Sequence, residues 1–356
     1  MKKLLSLLIF TVALVFLLVQ CAGDVPIDEP VQNVVPVQLT SPFNEGQYDI
    51  GESVEVTIKI NAPDGVSNLE LFVNDTLFAG ELTIEDQAIS IPTDSLSKVG
   101  WTKILLSYTD ASGKKRSDYR KIVFFSDLLP RVQNATIVNT YVHKKGSYTQ
   151  GLEFYQGKLF EGTGQYNRSV LAEVDLTTGA QIRKHDLDGS IFGEGITILN
   201  DTIYQITYRA QTCYMYDMAF NQIGQFNYDG EGWGLCNDGE NLIMSNGDSE
   251  IVWRNPQTFE IVKSIEVYDN DSEVVQLNEL ELINGRLFMN IYQDNKIAEV
   301  DTATGKVLSY INCQNLVTDA RDLGNDVLNG IAYNPATGKI YVTGKLWPKL
   351  YEVTFE

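Results

Sequence analysis

Hydrophobic and polar residues alternate in short runs along most of this chain, as in β-strands that bury one face. Between residues 37 and 126, this alternation predicts strands over 54–60, 69–73, 103–108 and 120–125. Turn-forming pairs such as Asp64-Gly65 and Ser112-Gly113 separate the runs. Short strands joined by tight turns predict a small antiparallel β-sandwich over residues 37–126.

This predicted sandwich resembles the immunoglobulin-like modules of bacterial surface proteins. It lacks the signature cysteines of that fold and a core tryptophan between them. Because no constellation of titratable residues stands out within it, we expect a spacer or docking role rather than chemistry.

From about residue 130 to residue 356, strand-like segments recur at intervals typical of a repeated β-unit. Their central residues are 44, 39, 45 and 53 positions apart, which leaves room for about four short strands per repeat. Those residues are Leu159, Ile203, Leu242, Leu287 and Ile340. The pattern predicts an all-β fold with few helices, a five-bladed β-propeller over residues 130–356. We expect residues 136–141 to pair with residues 350–355 and close the ring, which removes exposed edges.

Dense clusters of polar residues and glycine lie within a few positions of these strand-like segments. The clusters are Tyr148-Thr149-Gln150-Gly151, Phe192-Gly193-Glu194-Gly195, Gly232-Trp233-Gly234, Asn278-Glu279-Leu280-Glu281, Leu328-Asn329-Gly330 and Thr343-Gly344-Lys345. Because a ring-shaped fold can bring all of them to one face, they predict an active site assembled from several repeats.

The first twenty residues have the pattern of a signal peptide, with a basic start followed by an almost wholly apolar segment. Residues 18–21 resemble a bacterial lipobox, which predicts lipidation of Cys21 and an exported lipoprotein anchored on the periplasmic or cell-surface side. A plain secretion signal or a short membrane anchor is the alternative. Residues 21–36 lack periodicity and predict a tether.

Composition excludes several classes of function. The net charge of −20 argues against nucleic-acid binding, because phosphates require a basic surface. Two histidines and three cysteines after Cys21, with no metal-binding motif, predict neither a catalytic metal nor another cofactor. Asp269-Asn270-Asp271 could contact a structural calcium, although a lone acidic loop is more often solvated.

The clusters resemble, in order and spacing, the motifs of the plant and bacterial class of glutaminyl-peptide cyclotransferases, or glutaminyl cyclases. The resemblance covers about residues 135–356 and includes Phe-Gly-Glu-Gly-Ile-Thr, Leu-Asn-Glu-Leu-Glu and Val-Thr-Gly-Lys-Leu-Trp-Pro. It implies a five-bladed propeller. It also implies that the amino-terminal glutamine of peptides or proteins is converted to pyroglutamate with release of ammonia.

By this resemblance, Glu194 is the general acid and base that carries a proton from the attacking to the leaving nitrogen. Its flanking glycines, Gly193 and Gly195, fit a tight turn and close approach of the substrate. Burial would raise the pKa of Glu194 and a nearby Lys345 would lower it, so the direction of the shift stays open.

The remaining site residues are also implied by the resemblance. Asn278 and Gln150 would hydrogen-bond the substrate amide or orient Glu194, and Lys345 would supply positive charge. The aromatic walls of the pocket would be Tyr148, Phe192, Tyr208, Trp233 and Tyr292. Tyr208 and Tyr292 stand where the family usually has tryptophan, and Tyr148 stands where the family usually has phenylalanine. The resemblance therefore predicts the catalytic residue more firmly than it predicts the shape of the pocket.

Several assignments have a structural alternative. Glu161 could be a structural residue at the pocket rim. Four other residues can belong either to the site or to the scaffold, namely Glu279, Glu281, Asn329 and Trp347. A second hypothesis for the whole chain is a non-catalytic surface propeller that binds peptides or glycans, because a fold does not determine function.

Overall fold

The computed structural model of the chain describes residues 34–94, 97–320 and 327–356. The predicted signal peptide, Cys21 and most of the predicted tether lie outside these residues. Within them, no helix is long and apolar enough to cross a membrane.

Two sheets form the N-terminal module, which we define as residues 37–126. Its strands are β1 (Val37–Ser41), β2 (Gln47–Asp49), β3 (Val54–Ile60), β4 (Ser67–Val73), β5 (Thr76–Ala79), β6 (Gln87–Ile91), β7 (Gly100–Thr109) and β8 (Lys115–Phe125). One sheet has the order β1-β3-β6, and the other has the order β2-β8-β7-β4-β5. Buried residues of both sheets, such as Val56 and Leu106, share one hydrophobic core.

The four strands predicted in this module are confirmed, but not the expectation that every pair is antiparallel. β2 pairs with β8 in parallel, with Gln47 opposite Val123. A parallel pair needs a long crossover connection rather than a hairpin, and here the chain passes through β3 to β7 before β8 lies beside β2. Local turn signals carry no information about such a distant partner.

Twenty strands and one short helix make up the described part of the C-terminal ring, which we define as residues 131–356. The strands of its first half are β9 (Arg131–Val142), β10 (Thr149–Tyr155), β11 (Lys158–Thr163), β12 (Val170–Val174), β13 (Gln181–Asp186), β14 (Gly193–Leu199), β15 (Thr202–Thr207), β16 (Thr212–Asp217) and β17 (Gln222–Asn227). Those of its second half are β18 (Leu235–Asn237), β19 (Leu242–Met244), β20 (Glu250–Arg254), β21 (Ile261–Glu266), β22 (Leu277–Ile283), β23 (Arg286–Ile291), β24 (Lys296–Asp301), β25 (Val307–Asn312), β26 (Leu328–Asn334), β27 (Lys339–Gly344) and β28 (Lys349–Phe355). The helix is α1 (Gln314–Ala320), between β25 and β26.

Consecutive strands pair in up-and-down order around the ring. Three sheets have the orders β10-β11-β12-β13, β14-β15-β16-β17 and β18-β19-β20-β21, and a fourth, of eight strands, has the order β22-β23-β24-β25-β9-β28-β27-β26. The strands β10, β14, β18, β22 and β26, which we call the first strands, contact one another in this order, and β26 contacts β10. Each of the five central residues predicted from the sequence lies in the strand that follows a first strand.

The long strand β9 joins the two halves of the eight-stranded sheet. Its first residues pair in parallel with β25, and the rest pair antiparallel with β28. The predicted pairing of residues 136–141 with residues 350–355 is therefore confirmed.

The N-terminal module packs directly on the ring. Tyr268, which follows β21, is buried in the module's hydrophobic core. The Trp101 backbone N–H also donates to a carboxylate oxygen of Glu266, and the Lys306 ammonium lies 2.7 Å from Oδ1 of Asp127, the residue that follows the module. Polar and apolar contacts together hold the module at this edge of the ring.

Candidate active site

Four of the five first strands contain a shift in pairing register near their start. These β-bulges contain Gln150 in β10, Glu194 in β14, Asn278 in β22 and Asn329 in β26. A bulge inserts an unpaired residue and changes the direction of its side chain. Four polar side chains at equivalent positions are thus released from the regular alternation of their strands at one face of the ring.

Nine residues line a cavity of about 190 Å³ at this face. They are Tyr148, Gln150, Phe192, Glu194, Tyr208, Trp233, Asn278, Tyr292 and Lys345. These are the same nine residues that the sequence singled out for catalysis and substrate binding, and the fold brings all of them together. Their roles toward a substrate stay predictions.

Glycines beside the site residues allow neighbouring first strands to approach each other closely. A Cβ atom on Gly195 would lie 2.4 Å from the Leu235 nitrogen, and one on Gly234 would lie 2.3 Å from the Asn278 carbonyl oxygen. Because real Cβ contacts are never so short, only glycine fits there. Gly195 is therefore required for the approach of the next strand, and not for the close approach of the substrate that the motif predicts.

Glu194 is one of the buried residues of the cavity lining, with only 4% of its surface exposed. Its Oε2 atom is buried and has no hydrogen-bond partner among the described residues. Burial raises the pKa of Glu194 well above its usual range. The charge of Lys345 opposes this shift and that of Glu231 adds to it. The direction that the sequence left open is therefore upward, which favours the protonated carboxyl group.

Two amide side chains, Gln150 and Asn278, line the same cavity as this carboxyl group. Gln150 Oε1 accepts a hydrogen bond of 3.1 Å from Asn329 Nδ2, which also donates to the Thr149 carbonyl oxygen at 2.9 Å. In the described part of the chain, Asn278 Oδ1 and Asn329 Oδ1 are buried without a partner. Since an unpaired buried acceptor is costly, Asn278, which lines the cavity, is suited to accept an N–H group from a ligand.

Lys345 and the aromatic walls define the shape of the cavity. The buried Lys345 Nζ lies 5.0 Å from the ring centre of Tyr148 and 4.8 Å from that of Tyr292, within cation–π distance. Tyr292 in turn meets Trp233 edge to face, with 5.6 Å between ring centres. On the other side, Phe192 meets Tyr148 at 6.1 Å. The ammonium group is thus held between two tyrosine rings that stand where the sequence placed the pocket wall.

Three residues that contact the walls of this cavity are not predicted by the sequence motifs. Glu231 accepts a hydrogen bond of 3.1 Å from Trp233 Nε1 and one of 2.9 Å from Arg209 Nε. Arg209 lies over the Tyr208 ring at 4.7 Å, so the pair braces two of the walls. Tyr166 packs edge to face on Phe192 at 5.5 Å. Glu231 lies two residues before Trp233, so that spacing was a usable signal, whereas nothing in the sequence marked Tyr166.

Glu161 is buried and is not among the residues that line the cavity. Its carboxylate lies 2.9 Å from His143 Nε2 and accepts hydrogen bonds from Ser147 Oγ at 3.1 Å and Thr149 Oγ1 at 2.8 Å. His143 Nδ1 lies 2.8 Å from the Trp347 carbonyl oxygen, which can only accept, so Nδ1 carries a proton. Because two hydroxyl groups already donate to Glu161, its carboxylate form is favoured, and His143 Nε2 can then donate to it as part of an imidazolium.

The pKa values of this pair shift in the directions that its contacts require. Burial alone would lower the pKa of His143, but the charge and hydrogen bond of Glu161 outweigh burial and raise it. Burial would likewise raise the pKa of Glu161, but the charge of His143 and three hydrogen bonds lower it. The buried ion pair ties together the segments that carry Tyr148 and Lys345.

Of the four residues that could belong either to the site or to the scaffold, three make scaffold contacts, namely Glu279, Glu281 and Trp347. The Glu279 carboxylate accepts backbone hydrogen bonds from Leu152 at 3.2 Å and Ile331 at 2.7 Å, and thus links two other first strands. Glu281 accepts a bond of 3.3 Å from the Tyr333 nitrogen, and Trp347 is buried against Tyr351. Asn329, by contrast, contacts the site directly through Gln150.

No group of three or more metal-ligating side chains is assembled among residues 34–94, 97–320 and 327–356. In the acidic segment that could contact calcium, the Asp269 carboxylate accepts hydrogen bonds from the protein instead. Asp269 Oδ1 accepts from the nitrogens of Asp271 at 2.9 Å and Ser272 at 2.8 Å, and Oδ2 accepts from Tyr310 at 2.8 Å. The three cysteines of the ring are buried free thiols, namely Cys213, Cys236 and Cys313.

Known proteins share this fold and sequence. Residues 109–355 match the model of the glutamine cyclotransferase family. A glutaminyl-peptide cyclotransferase of Arabidopsis thaliana is 36% identical over 234 residues, which cover 64% of this chain and 73% of that protein. The crystal structure of the Myxococcus xanthus glutaminyl cyclase is 33% identical, with a TM-score of 0.61, and the match covers 64% of this chain and 99% of that one.

The all-β ring and these matches place the protein in one class: the chain belongs to the glutamine cyclotransferase family. The resemblance inferred from the motifs is confirmed, and with it the prediction that the chain is an enzyme of the glutaminyl-peptide cyclotransferase type.

Proposed function

We propose that this protein converts the amino-terminal glutamine of peptides or proteins to pyroglutamate, with Glu194 as general acid and base and without a catalytic metal. One observation carries the proposal. Of the nine residues that line the cavity, Glu194 alone has a carboxyl group, and its buried Oε2 atom has no partner among the described residues.

The reaction needs a proton carrier more than it needs a nucleophile. The α-amine of the substrate attacks its own side-chain amide carbon, a carbon–nitrogen bond forms, and the original amide nitrogen leaves as ammonia. The attacking nitrogen must lose one proton and the leaving nitrogen must gain one. Protonated Glu194 donates to the leaving nitrogen and then takes the proton of the attacking nitrogen, so the carboxyl group returns to its starting state.

The raised pKa of Glu194 suits this sequence of transfers. A carboxyl group with an ordinary pKa would be ionised near neutral pH and would have no proton to donate. The cost of ionising it briefly in the buried site is reduced by the positive charge of Lys345.

The other cavity residues position the substrate. The unpartnered Asn278 Oδ1 can accept from the substrate amide N–H, and Gln150, fixed by Asn329, can orient the same group. The aromatic walls hold the aliphatic part of the glutamine side chain folded, which brings the amine within reach of the amide carbon.

We further propose that the ring is a five-bladed β-propeller over residues 130–356. Five consecutive four-stranded units with first strands in circular contact support this assignment, if β26, β27, β28 and β9 are counted as the last blade. The N-terminal module is proposed to be an immunoglobulin-like β-sandwich over residues 37–126, which acts as a spacer.

The lipid anchor is a separate proposal with its own test. If Cys21 is lipidated after removal of residues 1–20, the protein fractionates with membranes, on the periplasmic or cell-surface side. Cys21→Ser is then expected to leave the protein in the soluble fraction or with its signal peptide attached. Unchanged partition of the variant, together with no lipid mass on the wild type, would contradict this assignment.

The catalytic proposal is tested by incubating the protein with a glutaminyl peptide and following loss of ammonia by mass spectrometry. Glu194→Gln preserves size and hydrogen bonding but removes the transferable proton, so turnover should fall by about two to four orders of magnitude. The Michaelis constant should stay close to that of the wild type. Glu240→Gln is the matched control, because Glu240 is an exposed glutamate outside the cavity.

Two results would count against the proposal. If the wild type releases no ammonia from any glutaminyl peptide over a broad pH range, the reaction is wrong. If Glu194→Gln turns over within a few-fold of the wild type, the reaction stands but another group carries the proton.

A further inference from the structure

A second cavity, of about 240 Å³, opens beside the active-site cavity. Its lining includes three cations, Lys144, Arg168 and Lys184, and one anion, Asp186. We call it the basic cavity. Its excess of positive charge is unusual in a chain that has 47 acidic and 27 basic residues.

Consecutive residues of the chain line the two cavities. Ser147 lines the basic cavity and the next residue, Tyr148, lines the active-site cavity. The Gly164 nitrogen donates to the Tyr148 carbonyl oxygen at 2.8 Å, and a Cβ atom on Gly164 would lie 2.3 Å from the Phe192 ring. Segments that line the basic cavity therefore lie directly against the part of the active-site wall that Tyr148 and Phe192 form.

The loop of residues 165–169 fixes Arg168 relative to the catalytic strand. Ser169 Oγ donates to the Gln165 carbonyl oxygen at 2.8 Å and accepts from the Gly193 nitrogen at 2.9 Å, next to Glu194. The loop also carries Tyr166, which packs on Phe192. The residues on both sides of Arg168 in this loop are thus anchored to residues of the active site.

The cations of the basic cavity are only partly neutralised. Lys184 forms an ion pair with Asp186, and Lys144 Nζ donates to the neutral Gln181 side chain at 2.7 Å. Arg168 forms no ion pair with any described residue. Two positive charges, on Lys144 and Arg168, are left without a counter-charge in the cavity lining, and a guanidinium group suits bidentate binding of a carboxylate.

We propose that the basic cavity binds carboxylate side chains of the residues that follow the amino-terminal glutamine in a peptide substrate. This inference rests on the proposed function. It predicts that the enzyme selects peptides with aspartate or glutamate a few residues after the glutamine, and that salt weakens the selection because the charges are exposed.

The test compares three substrates: Gln-Gly-Gly-Glu-Glu amide, Gln-Gly-Gly-Lys-Lys amide and the short Gln-Gly amide. At low salt, the acidic peptide should have a kcat/KM about 3- to 10-fold above that of the basic peptide, mainly through KM. High salt should reduce the ratio toward one. Dissociation constants of the two longer peptides, measured on Glu194→Gln protein, should show the same preference without turnover.

Arg168→Glu should abolish or reverse this ratio. Lys115→Glu is the matched control, because Lys115 is an exposed cation of the N-terminal module and its reversal changes the net charge equally. A wild-type ratio near one at low salt, or a preference that survives in Arg168→Glu, would overturn the proposal. If no peptide is turned over but acidic peptides bind in an Arg168-dependent manner, the proposed reaction fails and the basic cavity stands.

Discussion

Glu161→Gln is expected to destabilise the fold strongly while leaving the proton carrier in place. The substitution removes the negative charge that faces the His143 imidazolium and leaves the size of the side chain unchanged. Both side chains are almost fully buried, with 2% of His143 and 1% of Glu161 exposed. Without a counter-charge, the imidazolium must lose its proton or stay charged in a medium that solvates it poorly.

The magnitude follows from this burial. Removal of one partner of a buried ion pair costs about 3–5 kcal/mol, whereas exposed pairs contribute about 0–1 kcal/mol. The matched control is Asp75→Asn, because Asp75 pairs with Lys103 at 3.1 Å but its side chain is 77% exposed. We expect the control to lower the free energy of unfolding by less than about 1 kcal/mol.

The cost should depend on pH in a defined direction. The pKa of His143 is raised, so its stabilisation is complete below the usual value of 6.5 and is lost as pH rises through the higher value of the folded state. The pKa of Glu161 is lowered, so its stabilisation is complete above 4.5 and is lost as pH falls through the lower folded value. The destabilisation by Glu161→Gln should therefore be largest between about 4.5 and 6.5 and shrink at alkaline pH.

The assay is urea unfolding followed by tryptophan fluorescence at several pH values, with His143→Gln and the double variant completing a double-mutant cycle. The double variant should cost less than the sum of the single variants, because each single variant strands the other group. Turnover of folded Glu161→Gln should fall far less than that of Glu194→Gln. An unfolding free energy within 1 kcal/mol of the wild type at pH 6, or additive single costs, would refute the buried ion pair.

Two further predictions concern metals and modules. Strong chelators should leave turnover intact, because no group of metal ligands is assembled among the described residues. A loss of turnover on chelation that added zinc restores would show a metal-dependent step. A truncated chain of residues 127–356 should keep its turnover, because all nine cavity residues lie in the ring. Exposure of Tyr268 should lower the free energy of unfolding of this truncated chain by about 1.5–3 kcal/mol. A folded truncated chain without turnover would mean that the N-terminal module contributes to the site.

Periodicity predicted the strands of the ring well because it reflects burial of one face, which is a local property. The central residues, from Leu159 to Ile340, all lie in the expected strands, and the closing pair follows from the need to cover two edges. Pairing between distant segments has no such local signal. The parallel contact of β2 with β8 was missed for that reason.

The candidate site was predictable where motif residues occupy equivalent positions of successive repeats. Glu194 and Asn278 lie in bulges of their own strands, so the motif positions alone bring them to one face. The bulges themselves were not visible in the sequence. Contacts outside the motifs, such as Tyr166 on Phe192 and His143 on Glu161, depend on which loops meet in space.

The strand β9, which pairs with both β25 and β28, can complete its pairing only late in biosynthesis. β9 leaves the ribosome just after the N-terminal module, but both of its partners, β25 and β28, are synthesised long afterwards. Until they arrive, its edges stay open, and open edges are the surfaces on which nascent β-proteins aggregate. A chain that ends before residue 349 therefore cannot form this closing pair, and one edge of β9 stays exposed.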